Sequence, residues 1–420
     1  MRRPPDAHYS FTIPSIHDDT TLDCRLYHPD ALLKPKDSSE IVQWKRRGVV
    51  MAHPYATMGG SYDDRVVGIV VEEFLHAGWM VGTFNFRYIV GDVLWLKGDI
   101  PLIDIRGAHA SKGRTSWSGR PELDDYNSFA AFFMHYMSYI QPHLTKTPGN
   151  AFAPGHSLMP PELRESAQTQ PDTCPVVVLG GYSYGSLILK HLPPVPTILQ
   201  PFSTPLAGSA ADEIVLRARK LAAQSNLDWI NLARDETRAR KSSSGHDLST
   251  PVTIGGEETS PHKRRRSRDV KRSPERGTRL EIRTRLRSLS HKRHDHSETI
   301  ASLETKSVSI TMPDVRYLLI SPLTPPVSTV VAPALGHKFW SKSREDHQEV
   351  IGKHACLAVY GDQDVFSSAK KIRDWSDQLK AAPTSRFTSV EVAGAGHFWA
   401  EPDVEVKLRS ALEEWEHSIR

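Results

Sequence analysis

"VVVLGGYSYGSLIL", residues 176–189, decides the fold. Pro175 opens an apolar, β-branched run (Val176–Leu179) that reads as a short buried strand. It leads into Gly181-Tyr182-Ser183-Tyr184-Gly185, which fits G-x-S-x-G, and Ser186–Lys190 continues as the first turns of a helix. Such a corner forces the serine into a strained backbone conformation, and the flanking glycines let strand and helix pass close by. The bare pattern also occurs in ordinary glycine-rich loops. Reading Ser183 as a nucleophile therefore requires a histidine, an acid and an oxyanion hole from elsewhere in the chain.

The surrounding sequence alternates strands with helices. Strands are predicted at His8–Pro14, Thr21–Tyr27, Gly48–His53, Trp79–Phe86, Val315–Ile320, Ala355–Tyr360 and Arg386–Val392. Apolar residues at helical spacing predict helices over Asp63–Ala77, Asp124–Met137, Ala210–Ala223, Ser367–Leu379 and Pro402–Ile419. Residues 30–46 are polar with a proline and read as a surface loop. This alternation implies an α/β fold: a mostly parallel central sheet with helices on both faces.

Ligands in such sheets bind at the carboxyl ends of strands. There the chain places His53–Gly60, Arg87, Ser183, Gly361-Asp-Gln-Asp364 and Gly394-Ala-Gly-His397. A nucleophile, a carboxylate and a histidine thus fall on one edge in the order Ser…Asp…His. A serine hydroxyl becomes a useful nucleophile when a base takes its proton, and an acid must hold that base in the right tautomer. His397 is the base candidate because it follows the last strand and precedes the last helix. Asp364 is preferred to Asp362 because it sits past the tight turn at Gly361; Glu391 lies inside a strand. Two backbone N–H groups, those of Tyr184 and Tyr55, are the candidate oxyanion hole, with His53 shaping the second loop. Tyr55, Tyr182, Tyr184, Phe398 and Trp399 suggest an apolar, partly aromatic acyl pocket.

The segments "AHPYATMGGSYDDRVV", "GTFNFR", "GYSYGS", "GDQD" and "GAGHFW" resemble the α/β-hydrolase superfamily, in particular its dienelactone-hydrolase-like and acyl-peptidase-like serine hydrolases. The resemblance covers roughly residues 47–190 and 315–420. It implies the α/β-hydrolase fold, Ser183 as nucleophile, Asp364 as acid and His397 as base, with no metal or organic cofactor. The expected activity is hydrolysis of an ester or related acyl bond, of carboxylesterase, thioesterase, lipase or acyl-peptidase type, on a small-molecule or acyl substrate. The alternative is a catalytically inactive scaffold of the same fold whose basic insertion binds partners.

Two stretches depart from the resemblance. Tyr88–Arg106 separates "FNFR" from the loop beginning at Gly107 that follows it directly in that family. These nineteen residues are either an apolar lid or a retained intron translated in frame. The codons of Arg87-Tyr88 and Arg106 accommodate splice dinucleotides, which favours the intron. The second departure is basic. Between Pro261 and Arg293 stand 14 Lys/Arg against 3 Asp/Glu, a net of +11, so against a whole-chain charge of +4 the remainder is at −7. The expected layout is a core in two parts, 1–234 and 312–420, around a disordered basic insertion at 235–311 that cannot bury enough apolar surface to order itself. Residues 261–293 read as a nuclear-import address, as a tether to an anionic surface, or as a solvated loop with no partner. A body that binds nucleic acid is not indicated.

Three scattered cysteines (Cys24, Cys174, Cys356) suit neither a disulfide framework nor a zinc site. No apolar run approaches the ~18 residues of a membrane span, and the N-terminus lacks a secretory h-region. The expected location is the cytoplasm, or the nucleus if the basic run is an import address.

Overall fold

The computed structural model describes residues 5–87, 118–142, 174–243, 310–335 and 351–419. The chain divides into a larger unit, residues 1–240 with 306–420, and a smaller one, 241–305. Apart from the end of one helix, the smaller unit lies outside the described residues, as do Tyr88–Arg106 and the basic run 261–293.

Eight strands form one sheet: β1 (Tyr9–Pro14), β2 (Thr21–Tyr27), β3 (Arg47–Ala52), β4 (Met80–Phe84), β5 (Val176–Tyr182), β6 (Asp314–Ile320), β7 (Cys356–Gly361) and β8 (Phe387–Val392). Their order is β1-β2-β4-β3-β5-β6-β7-β8. The β1–β2 hairpin is antiparallel, and β2 joins β4 antiparallel; β4, β3, β5, β6, β7 and β8 run parallel. The α/β-hydrolase fold uses this order.

The helices among the described residues include α1 (Asp30–Leu33), α2 (Ser38–Gln43), α3 (Arg65–His76), α4 (Arg120–Tyr139), α5 (Tyr184–Leu189), α6 (Val195–Ser203), α7 (Ala210–Ser243), α8 (Val327–Val331), α9 (Ala369–Lys380) and α10 (Val404–Ser418). The sheet's two faces carry separate apolar layers. Val49 and Met51 of β3 point into the layer with Val70, Phe74, Leu408 and Trp415 of α3 and α10. Val50 and Ala52 point into the layer with Phe129 and Phe133 of α4, Ile214 of α7 and Trp375 of α9. The alternation follows from the two-residue period of a strand, and it makes the parallel strands apolar on both sides. Phe133 packs where side chains at Gly48 and Gly82 would stand, which seats α4 against β3 and β4.

Several boundaries differ from the sequence reading. Residues 30–46 hold two short helices, with Leu32 and Ile41 buried in them and Trp44 buried just after the second. Single apolar residues in a polar stretch give no period, and only contact with the body reveals their face. α4 starts four residues before Asp124, so Asp125 lies buried inside the helix instead of in its first turn. The helix predicted at 210–223 continues to Ser243, passing the position where composition turns polar. Trp229, buried and donating from Nε1 to the Leu32 carbonyl at 3.2 Å, anchors that extension. Asp64 caps α3 by accepting from Val66 N at 2.8 Å, and Ser368 caps α9 through the Lys371 N–H.

Arg87 ties the end of β4 to two other elements. Its Nε and Nη2 donate to the two carboxylate oxygens of Asp125 (2.9 and 2.6 Å), and its backbone N–H adds a third bond at 3.1 Å. Nη1 reaches Asp18 in the β1–β2 turn at 2.9 Å, and Nη2 reaches Ser15 Oγ at 3.0 Å. Burial pushes the Asp125 carboxyl up, and the guanidinium opposes that by holding it ionised. Removing one partner of a buried pair leaves the other charge uncompensated. Asp125→Ala is therefore expected to lower the free energy of unfolding by about 3–5 kcal/mol, read from urea midpoints; a loss below ~1 kcal/mol would refute this role.

Lys190, at the end of α5, is buried with Nζ 3.4 Å from the Leu323 carbonyl and 5.6 Å from the Trp375 ring centre. Burial lowers its pKa to about 7. Between that value and the ordinary lysine range the unfolded chain binds the extra proton, so stability rises with pH there. The slope contributed is at most about 1.4 kcal/mol per pH unit. Lys190→Met is expected to flatten the chain's stability between pH 7 and pH 10, as seen by denaturation at a series of pH values; an unchanged slope would contradict this.

Candidate active site

The corner after β5 has the strain its sequence suggests. Ser183 adopts φ 55° and ψ −112°, a region L-residues rarely occupy. A Cβ at Gly181 would collide with the backbone of Gly185, and one at Gly185 would stand 2.7 Å from the Ala52 carbonyl oxygen. Both positions therefore require glycine, and α5 can start directly over β3 and β5. The Ser183 N–H donates to the Ile320 carbonyl at 2.9 Å, which fastens the corner to β6.

Ser183, His397 and Asp364, read from three distant segments, are in direct contact. Asp364 Oδ2 lies 2.7 Å from His397 Nδ1, and His397 Nε2 lies 2.8 Å from Ser183 Oγ. The Asp364 side chain is closed to solvent and that of His397 nearly so. The other Asp364 oxygen accepts the backbone N–H groups of Phe366 (2.8 Å) and Ser367 (3.0 Å). With the carboxylate accepting from Nδ1–H, Nε2 carries the lone pair and the serine hydroxyl donates to it.

The alternatives weighed for the acid stand elsewhere. Asp362 accepts the Gly394 N–H at 2.7 Å and so pins the loop that leads to His397. Glu391 pairs with Arg373 at an exposed position, 2.6 Å at the closest. A Cβ at Gly361 would strike the Ala395 carbonyl, so the chain passes from β7 to Asp364 beneath the histidine loop only with glycine there.

Tyr184 is the first residue of α5, where a helix leaves its N–H groups without intrahelical partners. Tyr55 precedes the 3-10 turn Ala56–Met58 in the loop after β3, and its ring packs against Tyr184 at 4.9 Å between centroids. His53 shapes that loop: Nε2 accepts the Phe86 N–H at 2.9 Å, and Nδ1–H donates to the Pro54 carbonyl at 2.5 Å. Burial pulls its pKa down to about 4 and keeps it neutral.

The aromatic residues divide into braces and open rings. Tyr182, Tyr184 and Trp399 are buried, so they do not line an open pocket as the sequence suggests. Tyr182 Oη donates to the His397 carbonyl at 2.7 Å, and Trp399 Nε1 donates to Ser321 Oγ at 3.0 Å. Sequence reasoning gave Tyr182 no such role, because its partner lies 215 residues away. Asp64, whose carboxyl is pushed up by burial against its cap bonds and the influence of His397, is a further carboxylate near the histidine. Among the described residues no group of three or more His, Cys, Asp or Glu is placed to hold a metal ion, and no helix is long and apolar enough to cross a membrane.

No protein-family model matches this sequence, and no curated protein matches it. Several solved structures are similar. An α/β serine hydrolase homologue from Coxiella burnetii is 13% identical, with 98% of each chain covered and a TM-score of 0.41. An α/β serine hydrolase without lid from Xanthomonas campestris is 13% identical over 100% of this chain and 98% of its own, with a TM-score of 0.43. Est1E from Butyrivibrio proteoclasticus, with ferulic acid bound, is 12% identical over 97% of this chain and 98% of its own, with a TM-score of 0.39. At such distances the chain's own strand order and its strained serine corner carry the assignment, and on these it has the α/β-hydrolase fold.

Proposed function

We propose that this chain is a serine hydrolase of ester or related acyl bonds. The observation that supports it most is the continuous Asp364–His397–Ser183 hydrogen-bond relay at the strained corner. In this reading His397 Nε2 takes the Ser183 proton as Oγ attacks the acyl carbon. The carbonyl oxygen becomes an oxyanion, held by the backbone N–H groups of Tyr184 and Tyr55. Collapse breaks the bond to the leaving group, which departs with the proton from Nε2. Water then enters at the same nitrogen, gives it a proton and attacks the acyl-enzyme; Ser183 regains the proton as the acid leaves. Asp364 fixes the tautomer and stabilises the imidazolium formed midway.

Removing the hydroxyl removes the covalent step. Ser183→Ala is expected to abolish labelling by a fluorophosphonate probe that marks the unaltered chain, and to cut ester hydrolysis by at least ~10⁴-fold. Equal labelling of both forms would overturn the proposal, and no labelling of either would favour the inactive scaffold. Asp364→Asn, which keeps the shape but favours the wrong tautomer, is expected to lower kcat by about 10⁴-fold. A loss under tenfold would remove Asp364 from the relay.

A further inference from the structure

We infer that Phe366 and Phe398, with Val365 at their edge, form a subsite for an apolar leaving group, so that the preferred substrates are esters of alkyl, benzyl or aryl alcohols. The inference rests on the hydrolase reading of Ser183 and His397.

The three rings of Phe366, His397 and Phe398 touch one another edge to face. The Phe366–His397 centroids are 4.8 Å apart, His397–Phe398 5.5 Å and Phe366–Phe398 5.8 Å. Phe398 is nevertheless 59% exposed and Val365 80%. Each directly follows a member of the relay. Among the described residues only six large hydrophobic side chains are exposed to 59% or more, and these two directly follow His397 and Asp364. Burying such a side chain would gain about 1.5–3 kcal/mol, so an open aromatic and an open valine beside a polar centre are suited to a ligand's apolar surface.

Reaction geometry identifies which part of the ligand that is. In acylation, the Ser183 Oγ–acyl bond forms as the acyl–oxygen bond of the ester breaks. The proton taken by Nε2 passes to the departing alcohol oxygen. That oxygen must lie within hydrogen-bond reach of Nε2, roughly 3 Å. The carbons attached to it begin beside the imidazole and continue along whatever flanks the ring. Tyr182, stacked on His397 at 5.7 Å, is buried and offers no way out. Phe398 is the open neighbour. The acyl group is tethered to Ser183 with its carbonyl turned toward Tyr55 and Tyr184, and so starts from a different point.

The test compares kcat/KM, which reports acylation, for the unaltered chain and for Phe398→Ala along two series. One series keeps an acetyl group and lengthens the alcohol from methyl to hexyl and benzyl; the other keeps a methyl alcohol and lengthens the acyl chain. The ratio of unaltered to variant kcat/KM cancels the intrinsic reactivity of each ester. It is expected to grow by about 10–100-fold along the alcohol series, the equivalent of one lost aromatic contact, and to stay flat along the acyl series. Phe398→Leu should restore part of the difference. A flat ratio along the alcohol series, or growth along the acyl series instead, overturns the subsite while leaving the hydrolase reading intact. An unaltered chain that neither labels with fluorophosphonate nor hydrolyses any of these esters removes the hydrolase reading and the subsite with it.

Discussion

The site depends on one backbone conformation, the positive φ of Ser183. A residue held there costs on the order of 1–3 kcal/mol and persists when its surroundings leave no alternative. Here the surroundings are specific. β5 is hydrogen-bonded on both sides, to β3 and β6. Gly181 and Gly185 let α5 rise from the sheet without a collision. Ser186 Oγ, buried, donates to the Gly181 carbonyl and lies 3.0 Å from the Ile320 carbonyl, so it locks the first turn to two strands. Packing of Leu187 and Ile188 into the core then holds the helix down.

Once the serine is fixed, the histidine must be brought to it, and the loop that carries His397 is pinned on three sides. Asp362 holds Gly394, Tyr182 holds the His397 carbonyl, and Trp399, itself at φ 55°, reaches Ser321. Two of these anchors, Tyr182 and Ser321, sit just before the serine corner and just after β6. Ser183 and His397 are therefore referenced to the same neighbouring strands. A loop held in this way keeps the 2.8 Å separation of Nε2 and Oγ without relying on the hydrogen bond between them. The Arg87–Asp125 pair serves the same rim from the other side of Ser183, joining the end of β4 to α4 and to the β1–β2 turn.

The legibility of these features in the sequence tracks how local their causes are. β3, β5, β6 and β7 are runs of apolar residues buried on both faces, and each is visible as such. α3 and α9 carry their apolar residues at helical spacing with a capping Asp or Ser, and they too are visible. No helix is predicted over α6, which holds three prolines: Pro194 and Pro196 stand at its cap and first turn, where proline is tolerated, Pro201 lies inside it, and Val195, Ile198 and Phe202 supply a buried face. The second half of α7 is too charged to announce a core contact; Trp229 is buried there and Leu232 packs partly buried against the core. The aromatic residues near the site were visible as a group, but their division into braces and open rings depends on partners far along the chain.

By itself, the sequence determined the alternation of strands and helices, the glycine-flanked serine corner and the order in which serine, acid and histidine follow one another. Those are consequences of side-chain period, of the steric freedom of glycine and of chain connectivity, all of which act within a few residues. The sequence favoured Asp364 over Asp362 as the partner of the imidazole; only the tertiary structure decided that the two are in contact, that Tyr182 carries the histidine's backbone, and that Phe398 stays open while Trp399 is buried. Each of these is a contact between segments dozens to hundreds of residues apart. Its energy comes from hydrogen-bond geometry and exclusion of water that exist only once the sheet has brought the segments together.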